Sequence, residues 1–253
     1  VPYSMVQLTM TSYLLGYAIS QLLYGPISDR FGRRPVMLVG AAIFVLGSLA
    51  CFMSDHIGTL IAGRFVQAIG SCAGGVISSA AVRDAFPPEK RGHVFAKVNA
   101  AFALAPALGP IVGSLVDHLY GWHANFLILL VMSALLLILV FFRFHETHFD
   151  LHKDAIKPKI MAKNFAELLK DPYYLAYVLT MGFSLGIVYS ALIGAPDLVI
   201  NVLHMTSAVI IVIAAGVLFG FVLGSLICNL LQGPMSDQAL ILTGLFIMLI
   251  GSP

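Results

Sequence analysis

The sequence predicts an all-α transmembrane protein built as a helical bundle. Hydrophobic residues occupy 59% of the 253 positions and charged residues only 10%, whereas an ordinary soluble domain carries roughly 25% charged residues. The apolar residues form long runs without the period-two alternation of barrel strands. A chain of this composition is expected to expose most of its surface to lipid.

Seven runs are long enough to cross a bilayer core of roughly 30 Å, which requires about 20 apolar residues in a helix. An eighth run begins at Ala239 and continues to the last residues. The longest hydrophilic segment divides the chain, so we predict a first half at 1–142, a cytoplasmic central loop at 143–172 and a partial second half at 173–253. The seven predicted spans are 4–24, 35–53, 59–82, 93–116, 122–142, 173–195 and 206–231.

Basic residues are confined to alternate connections between these spans. The first, third and fifth connections, with their flanking helix ends, hold 13 of the 14 Lys and Arg residues, and the second, fourth and sixth hold none. Cytoplasmic loops of membrane proteins are enriched in Lys and Arg in this way. The odd-numbered connections are therefore predicted to face the cytoplasm.

An internal repeat relates the two halves. Residues 22–29 read LLYGPISD and residues 230–237 read LLQGPMSD, so six of eight positions are identical. Parallel repeats of this kind occur in transporters, with a substrate site between the halves. One predicted span precedes the first copy, whereas two precede the second copy within its half. The repeat thus predicts that one span is missing at the N-terminus and several at the C-terminus.

The connection after the first span reads GPISDRFGRRP at positions 25–35. Gly25 and Pro26 are predicted to end a helix, and Gly32 is predicted to allow a tight turn. Asp29 is placed to pair with neighbouring arginines or to face a helix N-terminus. A positively charged topology anchor would use the same residues, and that interpretation is compatible with a specific role.

Arg64 is the one basic residue outside the predicted inner connections, and it lies in an apolar span. A centred arginine costs about 2.5–3.5 kcal/mol on insertion scales, so it normally has a partner or a wet cavity. Arg64, Gln67 and Ser71 fall at i, i+3 and i+7 on one helix face. The alternative is an arginine that extends outward to the membrane interface.

A stripe of small residues follows in the sequence AFALAPALGPIVGS at positions 101–114. Small residues recur every four positions and include Gly109 and Gly113, which favours close approach of two backbones. Pro110 removes a helix hydrogen bond and invites a bend. A stripe of this kind serves helix packing more often than function when it stands alone.

Together, these three motifs resemble the major facilitator superfamily, and in particular its twelve-span drug:proton antiporters of the bicyclomycin and chloramphenicol resistance type. The resemblance implies two six-helix halves, a monomer in the plasma (inner) membrane, and no cofactor. It also implies a proton-coupling role for Arg64 and Gln67, and an antiporter motif at Gly109, Pro110 and Gly113. The residues that it assigns to a cytoplasmic gate loop are Gly25, Asp29, Arg30, Gly32, Arg33 and Arg34.

Polar side chains in two spans are candidates for contact with substrate. Tyr13 and Tyr17 share a face of the first span, and Ser71 lies on the face of Arg64. Tyr177 and Ser184 are polar positions of the sixth span. Aromatic and hydroxyl groups suit a pocket for lipophilic, partly polar drugs. Hydrogen bonding between helices and an interfacial aromatic belt explain the same residues equally well.

The segment His145-Glu146-Thr147-His148 resembles a zinc motif, but the zinc-protease spacing requires two residues between Glu and the second His. We therefore expect a solvated linker there and no metal site. No catalytic constellation is visible, so no catalytic residue is assigned, and the basic residues line cytoplasmic loops rather than a nucleic-acid face.

The function expected from the resemblance is export of small hydrophobic drugs in exchange for protons by alternating access, with the bilayer, a drug-like molecule and protons as partners. The family's proton-carrying acid is expected upstream of Val1, and none of the Asp residues in this chain is nominated for it. Two alternatives stay open: an importer of a sugar or other metabolite on the same fold, and a membrane scaffold or truncated remnant that transports nothing.

Overall fold

The computed structural model describes residues 3–199 and 237–251, together with isolated positions between 204 and 231. Within these ranges every regular element is helical, as the sequence predicts. The helices are α1 (Tyr3–Phe31), α2 (Arg33–Phe52), α3 (Ile57–Ala85), α4 (Pro88–Tyr120), α5 (Trp122–Arg143), α6 (Pro158–Leu168), α7 (Pro172–Asp197) and α8 (Asp237–Gly251).

The predicted spans correspond to α1–α5 and α7, and the eighth run to α8. Among the described residues, three helices are both long and apolar enough to cross a membrane by length and composition, namely α2, α3 and α5. The seventh predicted span, 206–231, and most of the second copy of the repeat lie outside the described residues.

The prediction that Gly25 and Pro26 end the first helix is wrong. Helix α1 continues through Pro26 and ends at Phe31. The Ser28 hydroxyl donates a hydrogen bond to the Gly25 carbonyl at 2.9 Å, so this last turn has side-chain support in addition to its backbone bonds. Membrane helices tolerate proline more often than soluble helices do, so Pro26 does not have to end α1.

Helices α1, α2, α3 and α5 form the packed core of the first part of the chain. Helix α3 lies against both α1 and α2 at glycine contacts, because an added Cβ at Gly16 of α1 or at Gly47 of α2 would overlap backbone atoms of α3. Small residues allow membrane helices to approach each other this closely. The buried core cluster comprises Tyr24, Val36, Met37, Cys72, Ala73, Ile77 and Val140.

The chain divides into two compact units. The first comprises Val1–Ala101 and Gly109–Phe165, and the second comprises Phe102–Leu108 and Ala166–Pro253. The hydrophilic segment after α5 therefore packs with the first unit as far as Phe165, and it contains helix α6. The second unit contains α7 and α8, whose apolar side chains are largely exposed, as expected for helices that face lipid.

Candidate functional site

The connection between α1 and α2 is a turn of one residue. Gly32 has φ +93°, a backbone conformation that favours glycine, and its N–H donates to the Ser28 carbonyl at 3.0 Å. The predicted tight turn at Gly32 is therefore confirmed. Helix α2 begins immediately afterwards at Arg33, two residues before the predicted start of the span.

Arg33 joins the ends of three helices. Its Nη1 lies 2.6 Å from Asp29 Oδ1 on α1, and its Nε lies 2.9 Å from Asp84 Oδ2 on α3. The same guanidinium donates to the Ser28 hydroxyl. The side chain of Arg33 is only 7% exposed, and the rigid fork of an arginine suits two carboxylates at once. The predicted pairing of Asp29 with a nearby arginine is confirmed, and Asp84 completes the cluster.

The other gate-loop residues have separate environments. The Arg34 guanidinium donates to the Phe141 carbonyl of α5 at 2.9 Å. The Arg30 guanidinium lies 5.1 Å from the centroid of the Phe31 ring. Gly25 lies inside α1, and an added Cβ there would meet no atom within 4 Å. Of the six residues, Gly32 and Arg33 therefore have the most restrictive surroundings.

The segment after α5 folds back onto this turn, so the prediction of a solvated linker at Glu146 is wrong. Glu146 Oε1 accepts hydrogen bonds from the backbone N–H groups of Arg33 (2.8 Å), Thr147 and His148 (both 3.0 Å). Glu146 Oε2 accepts a fourth from the Arg34 N–H at 3.1 Å. Burial acts to raise the pKa of Glu146, but the four N–H donors outweigh it, and the pKa lies below its ordinary value.

Three further contacts hold the same segment. The His152 N–H donates to the Asp29 carbonyl at 3.0 Å, and His148 Nδ1 lies 3.8 Å from Asp84 Oδ2. The His148 and His152 rings meet edge to face, with 6.2 Å between their centroids. Within the described part of the chain, no group of His, Cys, Asp and Glu side chains is arranged to hold a metal ion.

Arg64 points towards α1 and α5 rather than outward, so the interfacial alternative is not what the structure shows. Its Nη1 donates to Gln67 Oε1 at 2.7 Å, and its Nη2 lies 3.6 Å from the Met10 sulfur. The guanidinium also lies 4.4 Å from the ring centroid of Tyr13 and 5.9 Å from that of Phe126. All four partners are neutral, and no carboxylate among the described residues forms an ion pair with this arginine.

Gln67 extends this polar cluster into the core, and its second partner was missed in the sequence. The Gln67 side chain is fully buried, and its Nε2 donates to the Ser48 hydroxyl of α2 at 2.9 Å. Ser48 is fully buried as well. A serine between the apolar residues of a span was the available signal, but its partner depends on how α2 packs against α3.

Tyr13, Tyr17 and Ser71 lie together beside Arg64. The Tyr13 hydroxyl and Ser71 Oγ are 2.8 Å apart, and the Tyr13 and Tyr17 rings are stacked with centroids 6.5 Å apart. These contacts join α1 to α3. The structure therefore brings together three of the five predicted substrate residues with both predicted proton-coupling residues.

The remaining predicted residues lie elsewhere. Tyr177 and Ser184 are on α7 in the second unit, where Tyr177 is 45% exposed and the Ser184 hydroxyl donates to the Thr180 carbonyl at 2.7 Å. Gly113 receives a hydrogen bond at its carbonyl from Asn125 Nδ2 at 3.2 Å. Among the described residues, an added Cβ at Gly109 would meet no atom within 4 Å, so they show no close backbone approach at that position. Pro110 lies in α4, and its side chain falls outside the described ones.

Comparison with known proteins decides the family. The profile of the Major Facilitator Superfamily matches residues 1–253. The chain belongs to the major facilitator superfamily. It is accordingly a multi-pass protein of the inner membrane, and its relatives carry the names of transporters and resistance proteins rather than of enzymes.

Two curated relatives illustrate the subgroup. The chain is 34% identical over 201 residues to the bicyclomycin resistance protein homolog of Haemophilus influenzae, covering 76% of this chain and 50% of that protein. It is 42% identical over 129 residues to multidrug resistance protein D of Escherichia coli, covering 51% of this chain and 33% of that protein. The chain thus spans about half the length of the first of these relatives and about a third of the second.

A solved structure supports the same architecture. The chain superposes on the inward-open xylose transporter XylE of Escherichia coli with a TM-score of 0.55 and 17% sequence identity, over 90% of this chain and 59% of that one. At this level of identity the likeness shows the fold alone. The major facilitator bundle predicted from the sequence is therefore confirmed.

Proposed function

We propose that this chain is part of a secondary transporter that exports small hydrophobic drugs in exchange for protons by alternating access. The observation that carries the proposal is the position of Arg64, a cation among apolar helices whose described partners are all neutral. Inserting a charge at such a position costs free energy, so ionisable residues inside membrane spans generally mark functional sites. The names of the matched relatives, which refer to bicyclomycin and to multidrug resistance, favour drugs as the substrates.

Arg64 is suited to couple proton binding to substrate binding. A carboxylate brought beside its guanidinium is favoured in the ionised form. When that carboxylate takes a proton, the attraction disappears and the arginine keeps only its contacts to Gln67 and the aromatic rings. The balance between the two arrangements then depends on the proton gradient, which is what a proton-driven exchange requires.

The residues around Arg64 are suited to a lipophilic molecule with a few polar groups. The stacked Tyr13 and Tyr17 rings offer apolar faces, and the hydroxyls of Tyr13 and Ser71 offer hydrogen bonds. Pockets for drug-sized ligands combine aromatic walls with a small number of polar groups in this way. Tyr177 and Ser184 are proposed to contribute from the second half.

The test is transport by the full-length protein reconstituted into proteoliposomes. An imposed proton gradient should drive bicyclomycin or chloramphenicol against its concentration gradient in the wild type. The Arg64→Lys variant should transport at least tenfold more slowly, because an ammonium group lacks the planar fork that contacts Gln67 and the Tyr13 ring. Arg143→Lys, at the exposed end of α5, is the matched control and should transport normally.

The same vesicles distinguish the alternatives. Proton-driven accumulation of xylose or another sugar, with no drug movement, would identify an importer and overturn the exporter proposal. An absence of proton-dependent movement of any tested solute by a correctly folded protein would instead favour a membrane scaffold. Drug movement that is unaffected by the proton gradient would retain export but remove proton coupling and the role given to Arg64.

A further inference from the structure

We propose that Glu146 is the N-terminal cap of helix α2, although it lies 113 residues after Arg33 in the sequence. In the same proposal, residues 144–152 form a clasp that holds the turn at Gly32 between α1 and α2 and positions Arg33. The predicted effect on transport rests on the proposed function, whereas the cap itself rests only on the contacts of Glu146. The residue sits in the His-Glu-Thr-His segment that has no metal-binding role in the described structure.

The first step is that α2 has no local cap. Its N-cap residue is Gly32, which has no side chain to accept a hydrogen bond from the first turn. The first N–H groups of a helix have no partner within the helix and require one from elsewhere. A carboxylate is a favourable partner, because it accepts these hydrogen bonds and also interacts with the positive end of the helix dipole.

The second step is that Glu146 supplies what Gly32 lacks. Its two oxygens accept the N–H groups of Arg33 and Arg34, the first two residues of α2, at 2.8 and 3.1 Å. The same carboxylate accepts the N–H groups of Thr147 and His148. One side chain therefore fixes the start of α2 and the conformation of its own segment together.

The third step is steric. A Cβ added at Gly32 would lie 2.5 Å from Glu146 Oε2, so the carboxylate occupies the space that any other residue at this turn would need. Glycine is thus required at position 32 both by its positive φ and by the presence of Glu146. The Glu146 carboxylate therefore packs directly against the Cα of Gly32, where no side chain would fit.

The consequence concerns Arg33, whose backbone N–H binds Glu146 while its side chain binds Asp29 and Asp84. The His152 N–H bond to the Asp29 carbonyl fixes the other side of the turn. With the clasp docked, the ends of α1, α2 and α3 are held in one arrangement. Release of the clasp would free α2 to move relative to α1, so Glu146 acts as a positioning residue for the gate.

The first measurement needs no substitution. In the full-length protein in lipid nanodiscs, hydrogen exchange should show the Arg33 and Arg34 amides protected, although they are the first two of their helix. The internal reference is the first turn of α3, whose N-cap His56 makes no side-chain cap bond. If the Arg33 and Arg34 amides exchange as fast as those of Ile57 and Gly58, the cap does not exist and the proposal is overturned.

Two variants then test the carboxylate. Glu146→Ala should accelerate exchange at Arg33 and Arg34 by roughly tenfold or more, and Glu146→Gln, which keeps an acceptor oxygen, should give a smaller change. The control is Asp150→Asn, an exposed acid of the same segment, which should leave exchange unchanged. Equal exchange in Glu146→Ala and wild type would overturn the proposal.

Measurements of transport distinguish a positioning role of Glu146 from an effect on protein stability alone. The maximal rate of bicyclomycin transport should fall at least fivefold in Glu146→Ala while the affinity for the drug stays within twofold, and Glu146→Gln should recover part of the rate. Loss of protection with an unchanged rate would overturn the positioning role. If wild-type protein transports nothing, the proposed function fails, whereas the exchange data still decide whether Glu146 caps α2.

Discussion

The Arg33 Nε and the Asp84 Oδ2 lie 2.9 Å apart, which joins the beginning of α2 to the end of α3. The same guanidinium reaches Asp29 near the end of α1. Three helix ends therefore depend on one planar cation that is almost completely buried. The polar cluster around Arg64 shares two of these helices, and its partners come from α1, α3 and α5.

Replacement of Arg33 by lysine should destabilise the protein although the charge is conserved. A lysine ammonium lacks the fork that contacts Asp29, Asp84 and Ser28 together, so we expect a loss of about 1–3 kcal/mol. Thermal unfolding of purified Arg33→Lys in detergent measures the effect. Arg143→Lys is the control, and an Arg33→Lys protein with the wild-type melting temperature would show that the fork geometry is not needed.

Replacement of Gln67 by leucine should cost more stability than removal of its partner Ser48. Gln67→Leu removes two hydrogen bonds, the one that Gln67 accepts from Arg64 and the one that it donates to Ser48, whereas Ser48→Ala removes only the second. Hydrogen bonds between membrane helices contribute about 0.5–2 kcal/mol each. Unfolding of the two single variants and the double variant in detergent should show non-additive losses.

The control for the Gln67 series is Ser78→Ala, whose hydroxyl bonds only within its own helix. It should change stability little. Additive losses from Gln67→Leu and Ser48→Ala would mean that the two side chains do not interact in solution.

Two glycines four positions apart on α3 should respond differently to replacement by alanine. At Gly70 an added Cβ would overlap the backbone of Phe44 on α2, whereas at Gly74 it would meet nothing within 4 Å. Gly70→Ala should therefore destabilise by about 1–3 kcal/mol, and Gly74→Ala should be neutral or stabilise by about 0.5–1 kcal/mol. Melting temperatures of both variants test the closeness of α2 and α3, and equal effects would contradict it.

The stabilisation from Glu146 should disappear in acid. Its pKa in the folded protein is below the ordinary value of 4.5, so the folded state favours the ionised carboxylate. The stabilising contribution is therefore complete above the ordinary value and is lost as the pH falls through the lowered one. The difference in melting temperature between wild type and Glu146→Gln should be constant near neutral pH and should shrink below about pH 4. A difference that grows on acidification would have the wrong sign.

The contacts around the turn between α1 and α2 show which features a local sequence pattern can predict. A tight turn was predicted at Gly32 because glycine tolerates backbone conformations that other residues avoid, and Asp29 was predicted to pair because several arginines follow it closely in the sequence. Glu146 was assigned to a linker because its partners lie 112 and 113 residues earlier. The end of α1 was misplaced because proline was expected to end the helix, whereas α1 continues through Pro26 to Phe31.

The sequence by itself determined the helical class, most of the spans and the family, because these depend on composition and on residues close together in the chain. Only the tertiary structure decided which polar groups meet. Glu146 with α2, Arg33 with Asp84, and Gln67 with Ser48 are pairs separated by 113, 51 and 19 residues. A buried polar group needs a hydrogen-bond partner. The sequence shows which polar residues lie in apolar spans, but the packing of the helices determines which partner each one has.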